Sequence, residues 1–117
     1  MSQHDDAMRL RHMLSNAQEV IEMARGRHRQ DLGHNRMLEL SLVRLLEIVG
    51  EAASRVTPET QQRFDSIPWA EIIGMRNRLI HGYDRVDLDI LWTIVQDDIP
   101  PLVRDLEAAP ENLKATD

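Results

Sequence analysis

The chemically richest segment of the chain is a ten-residue stretch, Gly74–Tyr83, with the sequence GMRNRLIHGY. It contains two arginines, an amide, an imidazole and a phenol. A guanidinium can hold a phosphate and neutralise charge that develops on it. An imidazole can accept or donate a proton near neutral pH. Together these groups suffice for metal-free cleavage of RNA, in which the ribose 2′-hydroxyl supplies the nucleophile.

The spacing of Arg76 and His81 sets a condition on the local structure. His81 lies five positions after Arg76, which corresponds to about 140° around a helix at roughly 100° per residue. The two side chains therefore converge only if the helix ends or turns near His81. Gly82 allows such an end because glycine readily adopts positive φ. On these residues alone, a pair of helix-end cations that satisfies backbone carbonyls is the simpler explanation.

The elements that must position this segment are predicted to be helices. Apolar residues recur at spacings of three and four, and aromatic residues are only 3% of the chain, which suits packed helices. Asp87 is a plausible N-cap for a further helix, which Pro100-Pro101 should end or kink. No strand pattern is evident. The predicted helices cover residues 5–27, 34–56, 58–64, 69–80, the stretch after Asp87 and 101–108.

These elements predict an all-α bundle of four or five helices, with one domain over residues 1–108 and a polar C-terminal tail over 109–117. Gly50, Ala52 and Ala53 are small enough for another helix to approach the second helix closely. Glu51 lies on this face and is a candidate partner for Arg76 in an inter-helix salt bridge.

Composition excludes several classes of function. The chain has no cysteine, which excludes a disulfide framework, a cysteine zinc site and a thiol nucleophile. The histidines are scattered without a carboxylate pattern, so no metal site is expected. A net charge of −6 argues against a passive nucleic-acid coat, although 13 of the 14 basic residues are arginine, which suits local phosphate contacts. No apolar run has the length of a membrane span and the N-terminus is polar, so we expect a cytoplasmic protein without a membrane partner.

The segment resembles the Arg-x-x-x-x-His-x-Tyr motif of HEPN-domain proteins of the HepT-like toxin family. Arg76, His81 and Tyr83 take the motif positions, and Asn77 takes the polar position that often follows the motif arginine. The resemblance covers about residues 5–107. It includes the segments IVGEAA at 48–53, IPWAEIIGMRN at 67–77, VD at 86–87, LW at 91–92 and DIPPL at 98–102.

The resemblance implies a HEPN-type bundle that forms a homodimer, and a metal-independent endoribonuclease without a cofactor. Arg76 and His81 would be the catalytic residues, in a composite centre with their copies from the second chain, and Asn77 would support them. The implied partners are RNA and a small MNT-type nucleotidyltransferase. This antitoxin would neutralise the chain, the toxin of a type VII-like system, by transferring AMP to Tyr83.

In this interpretation His81 acts as general base or general acid and Arg76 stabilises the phosphorane. Arg78 and Arg85 are candidate contacts to substrate phosphate, although solvated charges explain them as well. Two other classes of function are compatible with the sequence. One is a non-catalytic helical partner that presents substrate or nucleotide to a nucleotidyltransferase, and the other is a plain helical oligomerisation domain.

Overall fold

Helices make up most of the residues that the computed structural model describes, which are residues 3–83 and 85–108, with side chains from Asp5 onward. The predicted polar tail, 109–117, lies outside the described residues. Two short antiparallel strands, β1 (Ile80–His81) and β2 (Arg85–Val86), lie between α5 and α6. The helices are α1 (Gln3–Ala24), a 3-10 helix (Arg29–Gly33), α2 (Arg36–Ser54), α3 (Pro58–Arg63), α4 (Trp69–Ile73), α5 (Met75–Leu79), α6 (Leu88–Thr93), a π-helix (Ile94–Asp98) and α7 (Ile99–Glu107).

The core forms where α1 packs against α2 and α7. It is built almost wholly from aliphatic side chains, and residues such as Met13, Leu42, Leu46, Ile99 and Leu102 are fully buried. Burial of this apolar surface is the main stabilising contribution to the fold. The prediction of an all-α bundle is confirmed for the described residues. Among the described helices, none combines the length and apolar character that crossing a membrane requires.

Side-chain caps define where two of the helices begin. The Thr57 hydroxyl accepts a hydrogen bond from the Thr60 backbone N–H, and Pro58 occupies the first turn of α3. Asp87 accepts a hydrogen bond from the Ile90 backbone N–H at 3.0 Å and so caps α6. Both caps were predicted from the sequence and are confirmed. The second cap fixes the start of α6 immediately after the strand pair.

The single helix predicted over 69–80 is wrong in two respects. It is divided at Gly74 into α4 and α5, since glycine is among the least favourable residues in a helix. Ile80 then leaves the helix and pairs with Val86 in the strands, where β-branched side chains are favoured. The expectation of no strand is therefore also wrong, because strands of two residues leave no alternating pattern in the sequence.

The helical stretch from Asp87 passes through Pro100 and Pro101 instead of ending at them. The π-helix lies directly before α7, and the prolines occupy the first turn of α7. A proline there cannot donate a backbone hydrogen bond, and its ring crowds the carbonyl of the preceding turn. The wider turn of the π-helix accommodates the missing hydrogen bond and the ring. This arrangement places Asp98 at the end of the π-helix, facing α5.

Gly50 allows α4 to lie directly against α2. A Cβ atom at this position would lie 3.1 Å from the carbonyl oxygen of Ile72 and 3.5 Å from that of Ile73. The predicted close approach at the small residues of α2 is therefore confirmed at Gly50. Because α5 follows α4 directly, this contact also sets the position of α5 relative to α2.

A buried carboxylate ties α1 to the start of α3. Asp6 is fully buried, and its carboxylate accepts hydrogen bonds from the Thr57 backbone N–H at 3.0 Å and from the Thr57 and Thr60 hydroxyls. Burial alone would raise the pKa of Asp6, but the hydrogen bonds from Thr57 and Thr60 outweigh it, with a further contribution from Arg9. The pKa of this carboxyl therefore lies below its ordinary value of 3.8.

We expect Asp6→Ala to lower the free energy of unfolding by about 3 kcal/mol, because it leaves buried donors unpaired. The lowered pKa means that the unfolded chain takes up this proton first as the pH falls. The contribution of Asp6 is thus complete above about pH 5 and is lost as the pH falls through the folded pKa. The free energies of unfolding of the wild type and Asp6→Ala should therefore become more similar as the pH falls. Urea unfolding of both proteins from pH 7 to pH 3 measures this change. Glu19→Ala, an exposed site on α1, is the control. An Asp6→Ala deficit that stays constant over this range would contradict the assignment.

Candidate functional site

The strand pair brings His81 to the surface beyond the end of α5. β1 and β2 pair with Ile80 opposite Val86 and His81 opposite Arg85. Gly82 follows with a φ of 79°, so the predicted use of its conformational freedom is confirmed. The His81 side chain is 60% exposed and is therefore available to a ligand.

A cleft of about 380 Å³ lies between α5, β1 and α6. Asn77, Arg78 and His81 line it on the side of the sequence motif. Three residues of α6 line the opposite side: Asp89, Ile90 and Thr93. The residues that line the cleft therefore include a histidine, an arginine and an asparagine, which are side chains that can transfer protons and bind phosphate.

Arg78 is held in the cleft by an ion pair with the π-helix. Its Nη2 donates to Oδ2 of Asp98 at 3.2 Å, and both side chains are partly buried. Its Nη1 is buried and has no hydrogen-bond partner among the described residues. An unpaired guanidinium donor at a partly buried position is costly unless a ligand or solvent satisfies it. Arg78, predicted as a phosphate contact, thus lies at the cleft with its guanidinium paired to Asp98.

Arg76 lies outside this cleft, beside α2. Its Nε donates to Oε2 of Glu47 at 3.0 Å, and its side chain is 63% exposed. The other oxygen of Glu47 lies 3.6 Å from Nη1 of Arg44. His81 and Arg78 therefore both line the cleft, whereas Arg76 lies apart from them on the α2 side.

The expected pairing of Glu51 with the motif arginine is wrong. Glu51 instead forms an ion pair at 2.8 Å with Arg55, the residue that follows α2. The partner of Arg76 is Glu47, about one turn before Glu51. Sequence reasoning missed Glu47 because residues 47 and 51 share a helix face, and only the docking of α5 decides between them.

The remaining sequence-predicted residues are at the surface. Tyr83 is 97% exposed at the turn between β1 and β2. Asn77 is exposed at the cleft, and Arg85 is exposed on β2 opposite His81. Within residues 5–83 and 85–108, no cluster of three or more histidine or carboxylate side chains is arranged to hold a metal ion.

Two carboxylates near His81 were not assigned to the site from the sequence. Oδ2 of Asp87 lies 3.8 Å from Nε2 of His81, although the sequence indicated Asp87 only as a helix cap. Asp89 lines the cleft, and its Oδ1 accepts a hydrogen bond from Nε of Arg29 at 2.7 Å. The spacing of Asp87 from His81 carries no signal by itself, since the turn between the strands creates the contact.

A family model and several known proteins that are similar to this chain all carry ribonuclease names. A family model described as ribonuclease HepT-like matches residues 13–109. A putative RNase of Methanocaldococcus jannaschii is 35% identical over 107 residues, which is 92% of this chain and 98% of the relative. A putative RNase of Caldanaerobacter subterraneus is 35% identical and spans 84% of this chain and 88% of the relative. A protein of Thermococcus cleftensis named probable ribonuclease HepT is 37% identical over 62% of this chain and 66% of its own length. No solved structure matches the chain at significant similarity.

Proposed function

Because the chain belongs to the HepT-like ribonuclease family, we propose that it is a metal-independent endoribonuclease and the toxin of a type VII-like HEPN/MNT toxin–antitoxin system. The observation that carries this proposal is that His81, Arg78 and Asn77 line one accessible cleft. An imidazole and a guanidinium supply proton transfer and charge stabilisation, the two requirements for cleaving RNA through its own 2′-hydroxyl.

In the proposed reaction, unprotonated His81 removes the proton from a ribose 2′-hydroxyl. The 2′-oxygen attacks the adjacent phosphorus, and the bond from phosphorus to the 5′-oxygen breaks. A protonated imidazole, His81 of the second chain, gives its proton to the departing 5′-oxygen. Arg76 and Arg78 neutralise the charge on the phosphorane, with Asn77 and Arg85 as candidate supporting contacts. The products carry a 2′,3′-cyclic phosphate, or a 3′-phosphate after hydrolysis, and a 5′-hydroxyl.

A homodimer supplies the second motif in this proposal. Glu47, which holds Arg76, shares one face of α2 with Leu40 and Met37 because the three recur at helical spacings. Leu40 is 49% exposed and Met37 is 80% exposed, while Ile73 on the neighbouring α4 is 38% exposed. Exposed apolar side chains around a site are typical of an interaction surface. We expect a second copy to cover this face and bring the two Arg76 side chains towards the composite centre.

Tyr83 is the proposed site of AMP transfer by the nucleotidyltransferase antitoxin. Its nearly complete exposure, two residues after His81, makes its hydroxyl accessible to another enzyme. An adenylyl group there adds bulk and a negative phosphate beside the cleft. That phosphate would compete for the nearby guanidinium groups and repel an incoming RNA backbone.

We expect Tyr83→Phe to stay toxic when a cognate nucleotidyltransferase is co-expressed, whereas the wild type is neutralised. The substitution removes only the hydroxyl that accepts AMP, and the exposed side chain contributes little to the fold. Growth after induction, with intact-mass measurement of adenylyl groups on each protein, tests this expectation.

Arg85→Ala, which leaves the Tyr83 hydroxyl in place, is the control for modification and should still gain adenylyl groups. Neutralisation of Tyr83→Phe would contradict Tyr83 as the target. Harmless growth of the wild type, with no adenylyl group on Tyr83, would favour the alternative of a non-catalytic partner of a nucleotidyltransferase.

A further inference from the structure

Asp87 caps α6 and also lies against the His81 side chain, which indicates a second role for it. We propose that Asp87 is a positioning residue for His81, orienting the imidazole with Nε2 towards its carboxylate and leaving Nδ1 to exchange protons with the substrate. The inference rests on the proposed ribonuclease function, and it adds one residue and one ring nitrogen to that mechanism. The observation behind it is the distance of 3.8 Å between Nε2 of His81 and Oδ2 of Asp87.

Asp87 is fixed through its backbone N–H and through one carboxylate oxygen. Its backbone N–H donates to the carbonyl oxygen of Leu79 at 2.9 Å, which ties it to the end of α5. Its Oδ1 accepts the hydrogen bond from the Ile90 backbone N–H at 3.0 Å. The cap uses one carboxylate oxygen and fixes the side-chain rotamer, so the second oxygen is held facing His81.

The backbone of His81 is held by the strand pairing. β1 places it opposite Arg85, while its side chain is 60% exposed and has no surrounding core to fix the ring. A distance of 3.8 Å is an ion-pair distance, longer than a hydrogen bond. At this distance the carboxylate acts on the ring by charge and favours the orientation in which Nε2 faces Oδ2.

The carboxylate that lines the cleft, Asp89, does not take this role. Oδ1 of Asp89 accepts a hydrogen bond from Nε of Arg29 at 2.7 Å, on the opposite side of the cleft. Asp98 is paired with Arg78. Among the residues that the structure describes, Asp87 is therefore the carboxylate that lies against the imidazole.

Asp87→Asn separates positioning from capping, because an amide oxygen also accepts the hydrogen bond from the Ile90 N–H. We expect the NMR order parameter of the His81 ring C–H bonds to fall in this variant, while the thermal midpoint changes little. Asp97→Asn, which removes an exposed carboxylate in the π-helix, should leave the ring order unchanged. An unchanged His81 order parameter in Asp87→Asn would overturn the proposal.

A kinetic double-mutant cycle tests the same link during turnover. With a fluorophore- and quencher-labelled single-stranded RNA of mixed sequence as the probe, Asp87→Asn should lower kcat by about tenfold with KM within about twofold. In a His81→Gln background, the same change should cause no further loss, because Asp87 acts through His81. An equal loss in both backgrounds would indicate a merely structural role and overturn the proposal.

The two readouts separate failure of this inference from failure of the proposed function. If the wild type does not cleave the RNA, the ribonuclease proposal fails, and the ring order still decides whether Asp87 positions His81. If the wild type cleaves and His81→Gln is strongly slowed, but Asp87→Asn keeps full kcat, only the assignment of Asp87 fails.

Discussion

His81→Ala is expected to lower the rate of RNA cleavage by about a hundredfold to ten-thousandfold, because it removes the group that exchanges protons with the substrate. The fold should be unaffected, since the side chain is 60% exposed and its backbone pairing with Arg85 does not depend on the imidazole. Single-turnover cleavage of a labelled RNA gives the rate, and circular dichroism checks the helical content.

A matched control is available in the linker between α1 and α2. His34 is also exposed but lies outside the cleft, so His34→Ala should cleave RNA at the wild-type rate. If His81→Ala retains most of the activity, the assignment of His81 as the proton-transfer group is wrong, whatever happens to the other variants.

Arg76→Ala is expected to lower the cleavage rate by about a hundredfold to a thousandfold, as is typical when one group that stabilises transition-state charge is removed. Arg76→Lys should recover only part of this loss, because an ammonium cannot make the bidentate contact that a guanidinium makes with phosphate. The exposed side chain and its single ion pair with Glu47 indicate that the fold will tolerate both changes. Rates measured in parallel with unfolding curves separate activity from stability.

Arg63→Ala removes an exposed arginine at the end of α3 and serves as the control for a general loss of positive charge. The structure also offers a direct competitor for the role of Arg76. If Arg76→Ala is fully active while Arg78→Ala is inactive, the guanidinium that stabilises the reaction is the one in the cleft, and the motif position of Arg76 has another purpose.

Much of the scaffold could be predicted because its signals are local. The apolar periodicity of α1 and α2, the cap and proline at Thr57 and Pro58, and the cap at Asp87 depend on residues within a turn or two of each other. Gly82 was identified for the same reason, since the need for a positive φ follows from the turn itself.

The details of the candidate site could not be predicted because they depend on packing between distant elements. The partner of Arg76 is 29 positions away, and the choice of Glu47 over Glu51 is made by the docking of α4 and α5 against α2 at Gly50. The contact between Arg78 and Asp98 depends on the π-helix before the prolines. Residue types and spacing thus predict a chemistry for the motif, while the neighbours of each side chain had to come from the structure.

The most direct test of the central claim is the chemistry of the RNA ends that the purified protein produces in the presence of EDTA. The proposed mechanism predicts 2′,3′-cyclic phosphate or 3′-phosphate ends with 5′-hydroxyl ends, at an undiminished rate with EDTA, and no such products from His81→Ala. Cleavage that EDTA abolishes, or that leaves 5′-phosphate ends, would contradict a reaction carried by the imidazole and guanidinium groups of this site.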